Sequence, residues 1–177
     1  MEIPLGGTPM ALFSMKVENL EELFIEQLRD LYDGEQQITK ALPKLIEKAT
    51  DSRLQDALQD HLEVTREQIR RLEQIFQILG EDADGETCKG MKGVIAEGDD
   101  VVGDADDKAV RDAVIIASAQ RVEHYEIAGY GTVRTYANLL GQAQIAQLLE
   151  QTLQEEKEAD QTLNQIAESV NIDAKAA

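Results

Sequence analysis

The sequence predicts an all-α chain: two repeated helical hairpins joined by a long crossover with a short helix in it, forming a four-helix bundle. Three observations carry this. Apolar residues recur every three or four positions through four long stretches. Composition argues against a sandwich or barrel, with only three prolines and 4% aromatic residues in 177. The two halves also align without a gap: adding 91 to Glu35 gives Glu126, and the same shift takes Leu28 to Ala119, Leu42 to Val133, Leu62 to Leu153 and Leu72 to Leu163.

The first helix opens at Asn19, with Glu22 three residues on as its capping-box partner. Its seam is Phe24, Leu28, Leu31, Ile38, Leu42, Leu45 and Ala49, with Pro43 set to bend it. A break at Thr50–Ser52 precedes a second helix, whose seam runs from Leu58 to Leu79 and which Gly80 ends. Residues 80–107 hold six glycines and many aspartates. They read as a solvated acidic crossover, in which Val94, Ile95, Val101 and Val102 anchor one short helix. The ligand order of a calcium loop is absent. The third long helix is capped at Asp106 or Asp107 and broken at Gly141; its seam includes Ile115, Ala119, Val122, Val133, Tyr136 and Leu140. The fourth carries Leu149, Leu153, Leu163, Ala167 and Val170. Residues 1–17 read as an N-terminal tail, 18–171 as the bundle and 172–177 as a fraying C-terminal tail. Two similar hairpins linked by a long crossover define a ferritin-like topology.

Charge narrows the function. The formal net charge is −18 and the pI about 4.4, which opposes binding to nucleic acid or an anionic membrane and favours cations. Hydrophobic residues still make up 42%, enough for a folded core. Cys88 is the single cysteine, so one chain can form neither a disulfide framework nor a thiolate metal site, as expected in a cytoplasmic protein. No apolar run has the length of a membrane span.

The seams contain carboxylates. Glu35 and Glu126 occupy repeat-equivalent seats, and a buried lone carboxylate must be protonated, paired or bound to a metal. With the hairpin turns centred near residues 50 and 141, Glu35 lies level with Thr65 and Glu126 with Glu156. One turn away lie His61, Asp160 and Glu123. The candidate metal ligands are therefore Glu35, His61, Glu123, Glu126, Glu156 and Asp160, a donor set suited to iron, as one or two ions, or to manganese. His124 is turned about 200° from Glu126 and reads as a supporting or exposed residue, and Glu63 is turned away from His61 in the same manner. The competing reading leaves the glutamates hydrogen-bonded to Tyr32, Tyr125 or Thr65. Gly129-Tyr130-Gly131 reads as a close helix approach and not a phosphate cradle.

The strings LEELFIEQLRDLYDGEQQITKALPKL, HLEVTREQIRRLEQIF, RVEHYEIAGYGTVRTYANLLG and LLEQTLQEEKEAD resemble the YciE/YciF-like bacterial stress-protein family, with EHYEIAGYG the most specific element. The resemblance spans about residues 18–170. It implies a ferritin-like bundle similar to rubrerythrin, a homodimer and a role in stress responses. It does not imply an activity. Ferritins and rubrerythrins carry a Glu-x-x-His pair in the second and fourth helices, and this chain has neither. That leaves one metal, an asymmetric two-metal site or a polar core without metal. The functions expected are a metal-binding stress protein acting on peroxide or oxygen, or a non-enzymatic structural or interaction protein with a relict polar core.

Overall fold

The computed structural model describes residues 17–177; the expectations for residues 1–16 lie outside the described residues. Five helices and no strand occur among the described residues: α1 (Leu20–Lys48), α2 (Ser52–Leu79), α3 (Lys89–Asp104), α4 (Lys108–Leu139) and α5 (Ala143–Ala176). α1 packs on α2 and α4 on α5, while α1 touches α4 and α2 touches α5, which closes a four-helix square. α3 lies across α1 and α4.

Local chemistry sets the boundaries. The Asn19 side chain accepts the Glu22 N–H at 2.9 Å, and the Glu22 carboxylate reaches back to the Glu18 N–H at 2.8 Å. Asp51 and Asp107 cap α2 and α4 through their side chains. Gly80 (φ 70°) and Gly141 (φ 74°) take the left-handed conformation that stops α2 and α4, a region closed to most L side chains. Pro43 does not break α1. The repeat is accurate at the turns: a shift of 91 residues carries Lys48, the end of α1, to Leu139, the end of α4, and Ser52 to Ala143, where α2 and α5 begin.

The crossover carries the expected short helix: α3 takes 16 of its residues, about half the length of each bundle helix. Two of the four glycines in α3 are needed for spacing. A Cβ on Gly90 would fall 2.5 Å from the Tyr125 hydroxyl oxygen, and one on Gly98 would fall 3.0 Å from the Ser118 Cβ, so α3 seats on α4 only without side chains at those points. Cys88 caps α3. Its Sγ accepts the Met91 N–H at 3.3 Å and donates to Asp30 at 3.1 Å, while the Asp33 carboxylate takes the Cys88 N–H at 2.8 Å. The segment after Asn171, expected as a tail, lies within α5, which continues to Ala176 through residues with no helix breaker among them.

The core falls into two apolar clusters. One joins Leu42, Leu54, Leu58, Ile115, Ile116 and Leu163 with their neighbours. The other joins Phe24, Leu28, Leu72, Ile75, Val133 and Leu149 with theirs. Between them lies a buried polar layer, built from the middle of each long helix.

Outside that layer one buried carboxylate is fully used. Asp112, in the first turns of α4, accepts Thr50 N–H at 2.8 Å, Thr50 Oγ1–H at 2.6 Å and Asp51 N–H at 2.8 Å, tying the α1–α2 turn to the second hairpin. Removing it breaks three hydrogen bonds to a buried charged group and leaves the part-buried donors of the turn unpaired, which costs about 3 kcal/mol. Asp112→Ala should therefore lower the thermal midpoint by roughly 6–12 °C, whereas the exposed Glu47→Ala should shift it by less than about 2 °C. Thermal unfolding followed by circular dichroism checks both.

Candidate metal centre

The polar layer brings together residues from four helices. His61 comes from α2, Glu123 and Glu126 from α4, and Glu156 from α5. One donor atom from each lies within 4.8 Å of the other three. Glu35, from α1, is fully buried beside them and faces Glu126. Thus Glu35, His61, Glu123, Glu126 and Glu156 share one layer. Asp160 does not join them. One turn along α5 advances the side chain by about 40°. That turns its carboxylate toward Gln120 and His124, each 3.5 Å away, and Asn164 at 3.0 Å. His124 is mostly exposed and belongs to that surface group.

Among the described residues, all six buried side-chain polar atoms without a hydrogen-bond partner belong to this layer: one oxygen each of Glu35, Glu123, Glu126 and Glu156, His61 Nε2 and Gln68 Oε1. Buried polar groups are ordinarily paired. Four orphaned carboxylate oxygens and an imidazole nitrogen converging in one place form the donor set that a hard or borderline cation requires. His61 Nε2 lies 3.4 Å from Glu123 Oε1, a diagonal contact from α2 to α4 without hydrogen-bond geometry.

Other side chains fix these donors. The Tyr130 hydroxyl donates to Glu35 Oε1, and the Gln68 amide donates to Glu156 Oε1. In each carboxylate the second oxygen is the orphan. Arg71 forms a two-pronged pair with Glu155 at 2.8 and 2.9 Å and also donates to Thr152. The sequence reading missed Tyr130, Gln68 and Arg71. A signal existed for two of them. Tyr130 is four residues after Glu126, and Gln68 is seven after His61, so each shares its neighbour's helix face. Nothing in the pattern distinguished them from ordinary seam residues. Tyr32 and Tyr125, named as alternative partners, point elsewhere: Tyr32 to Glu73 and Tyr125 to Asp30 and Cys88.

The electrostatics follow from burial. Removal from water pushes the Glu35 carboxyl well above its ordinary range; the Glu156 charge adds to this, while the Tyr130 hydrogen bond and Arg71 oppose it. Burial does the same at Glu123, reinforced by Glu156, and at Glu126, reinforced by Glu35. Tyr130 is raised by burial and by the neighbouring Glu35. The layer therefore holds extra protons, or a cation in their place.

The chain matches known proteins along nearly its whole length. The family described as Domain of unknown function (DUF892) matches residues 19–177. Protein YciF of Escherichia coli (strain K12) is 40% identical over 163 residues, which is 92% of this chain and 98% of that one. The crystal structure of the E. coli stress protein YciF superposes with a TM-score of 0.84 over 87% of this chain and 98% of that one, again at 40% identity. YcfI of Rhodopseudomonas palustris, described as a candidate structural protein, superposes at 0.83 with 49% identity, over 86% and 97% of the two chains. A Xanthomonas campestris protein at 19% identity and TM-score 0.70 shares the fold.

The raised carboxyls fix the sign of a pH effect. Their folded affinities for protons exceed the unfolded value near 4.5, so the folded state carries the excess protons. Stability is then greatest below about pH 4.5 for these groups and declines as pH rises through their folded pKa values, by about 1.4 kcal/mol per pH unit for each excess proton. Chelator-treated protein should lose stability between pH 5 and 8 relative to Glu35→Gln/Glu126→Gln. Urea unfolding of both at several pH values measures the difference, and parallel curves would contradict the assignment.

Proposed function

From the premise that this chain belongs to the YciF-like stress-protein family, the Domain of unknown function (DUF892), we propose that its polar layer is a metal centre for iron or manganese. The observation that carries the reading is the set of orphaned, buried donors from four helices. Glu123, Glu126, Glu156 and His61 would hold one ion, and Glu35, next to Glu126, would hold or bridge to a second. Two divalent ions would offset the charge of four carboxylates, and one would offset half of it. Asp160 lies at the edge of this set. An iron or manganese ion held there would supply one-electron chemistry toward peroxide or dioxygen.

The chain's own residues prepare the site. Tyr130 and Gln68 each hold one carboxylate oxygen, so the other is aimed inward and need not reorganise on binding. The two apolar clusters exclude bulk water from both ends of the bundle and strengthen charge interactions within the layer. No helix among the described residues is long and apolar enough to cross a membrane, so the centre would work in an aqueous compartment, proposed to be the cytoplasm, in a chain proposed to pair as a homodimer.

A second reading has one finding behind it: the R. palustris relative is described as a candidate structural protein. On that reading the buried polar layer fixes helix register and the protein acts through its surfaces.

Metal binding separates the two. Protein purified without chelator, or loaded anaerobically with iron(II) or manganese(II), should hold near-stoichiometric metal. At about 100 times the dissociation constant, metal should stabilise the fold by about 2.7 kcal/mol, or roughly 5–11 °C. Glu126→Gln should abolish the metal-induced shift while raising the midpoint of the metal-free protein, because a buried carboxylate becomes neutral. Elemental analysis and thermal unfolding supply both numbers. Absence of metal and of any shift in the unsubstituted protein would leave the structural reading standing.

A further inference from the structure

Two cavities reach the polar layer from opposite sides, and among the described residues the only ones lining both are His61 and Glu123. The wider one, about 290 Å³, opens between α2 and α5. Asp60, Glu155 and Glu158 stand in its wall. Arg71 neutralises Glu155 at 2.8 Å, whereas Asp60 and Glu158 are exposed and have no ion-pair partner among the described residues. His61 Nε2 and one Glu123 oxygen, both buried and unpartnered, lie at the inner end of this cleft.

The narrower cavity, about 40 Å³, lies beneath α3. Apolar residues, Ile38, Ala41, Leu45 and Val122 among them, form most of its wall, with Asp99 and Ser118 on the side where α3 meets α4. That volume holds a molecule of two or three heavy atoms, and a water placed in its apolar part would lack the two to four polar partners it needs. The diagonal contact of His61 with Glu123, at 3.4 Å, separates the two spaces.

We infer that the layer has two separate entrances: a divalent cation enters through the acidic α2–α5 cleft, and dioxygen occupies the apolar cavity beneath α3. The cation entrance rests on the metal-centre reading; the dioxygen cavity stands on its lining and volume. Opposite chemistry keeps the routes apart. Charge draws a cation to one mouth, while the apolar wall excludes hydrated ions and peroxide from the other. α3 is what makes the second space, since it roofs a gap between α1 and α4 that would otherwise be open.

Two kinds of variant test this on the full chain. Asp60→Asn/Glu158→Gln should slow manganese(II) uptake at low salt roughly three- to tenfold and flatten its salt dependence, leaving stoichiometry unchanged. Asp84→Asn/Glu86→Gln removes the same charge from the α2–α3 loop and should have little effect. For the cavity, methyl resonances of metal-free protein under oxygen pressure report where dioxygen resides. The methyls of Ile38 should relax several times faster than those of the equally buried Leu28 and Ile75, and the methyls of the part-buried Ala41, Val94 and Val122 several times faster than those of the part-buried Ala113 and Val114, which line neither cavity. Ala41→Leu, or Val94→Phe from the opposite wall, should abolish that excess without slowing manganese uptake. Equal relaxation at all buried methyls would overturn the dioxygen cavity, and equal uptake by the two charge variants would overturn the cation route. If the unsubstituted protein takes up no manganese, the metal-centre reading fails while the relaxation result still stands alone.

Discussion

Burying four carboxylates in the middle of a helical bundle is the constraint on which the rest of this structure depends. Glu35, Glu123, Glu126 and Glu156 sit where an ordinary bundle would place leucines. Charges of one sign at such range in a low-dielectric interior repel strongly, and desolvation adds to the cost. Three responses are visible in the chain. Burial raises the carboxyls of Glu35, Glu123 and Glu126 toward the protonated form, Tyr130 and Gln68 each satisfy one oxygen, and a histidine is brought in across the diagonal. What is left over, one oxygen on each carboxylate and one imidazole nitrogen, is the complement of a cation.

The apolar clusters on either side make that layer possible. Each end of the bundle is packed by residues of all four long helices, so the fold does not rely on its centre for cohesion. The ends supply rigidity and the centre is free to be polar. Asp112 shows the contrasting use of a buried carboxylate. Its oxygens are all engaged by the turn at Thr50 and Asp51, and it works as a tie between hairpins.

The repeat is kept in the backbone and broken at the layer. Glu35 and Glu126 occupy equivalent seats, but Thr65 stands opposite Glu156 in the repeat, His61 opposite Thr152, Gln68 opposite Ala159 and Tyr32 opposite Glu123. Donors therefore gather on the α4–α5 half, with α2 giving the histidine. This explains why the Glu-x-x-His pairs of ferritin-like proteins are absent while a four-residue donor cluster is still present. The asymmetry also leaves room beside His61 and Glu123, which is where both cavities end.

The four long helices, their turns and the level of the carboxylates were legible in the sequence, because helical periodicity and a residue count from each turn fix register along the bundle axis. Glu35, His61, Glu123, Glu126 and Glu156 were found that way. Rotation about the helix axis was not legible to the same precision, so Asp160, correctly placed in level, faces Gln120 and His124 instead of the layer. The roles of Tyr130, Gln68 and Arg71 were not legible for a related reason: they act across helices, and a single seam, even where it places Tyr130 and Gln68 on the right face, does not record which residue of the facing helix it meets. The short helix of the crossover was legible from its apolar residues, but the reason for two of its glycines was not: glycine counts against a helix in isolation and is required where α3 rests on Tyr125 and Ser118. Periodicity along one chain determined the elements and their heights; only the packing of one helix against another decided which side chains share a space.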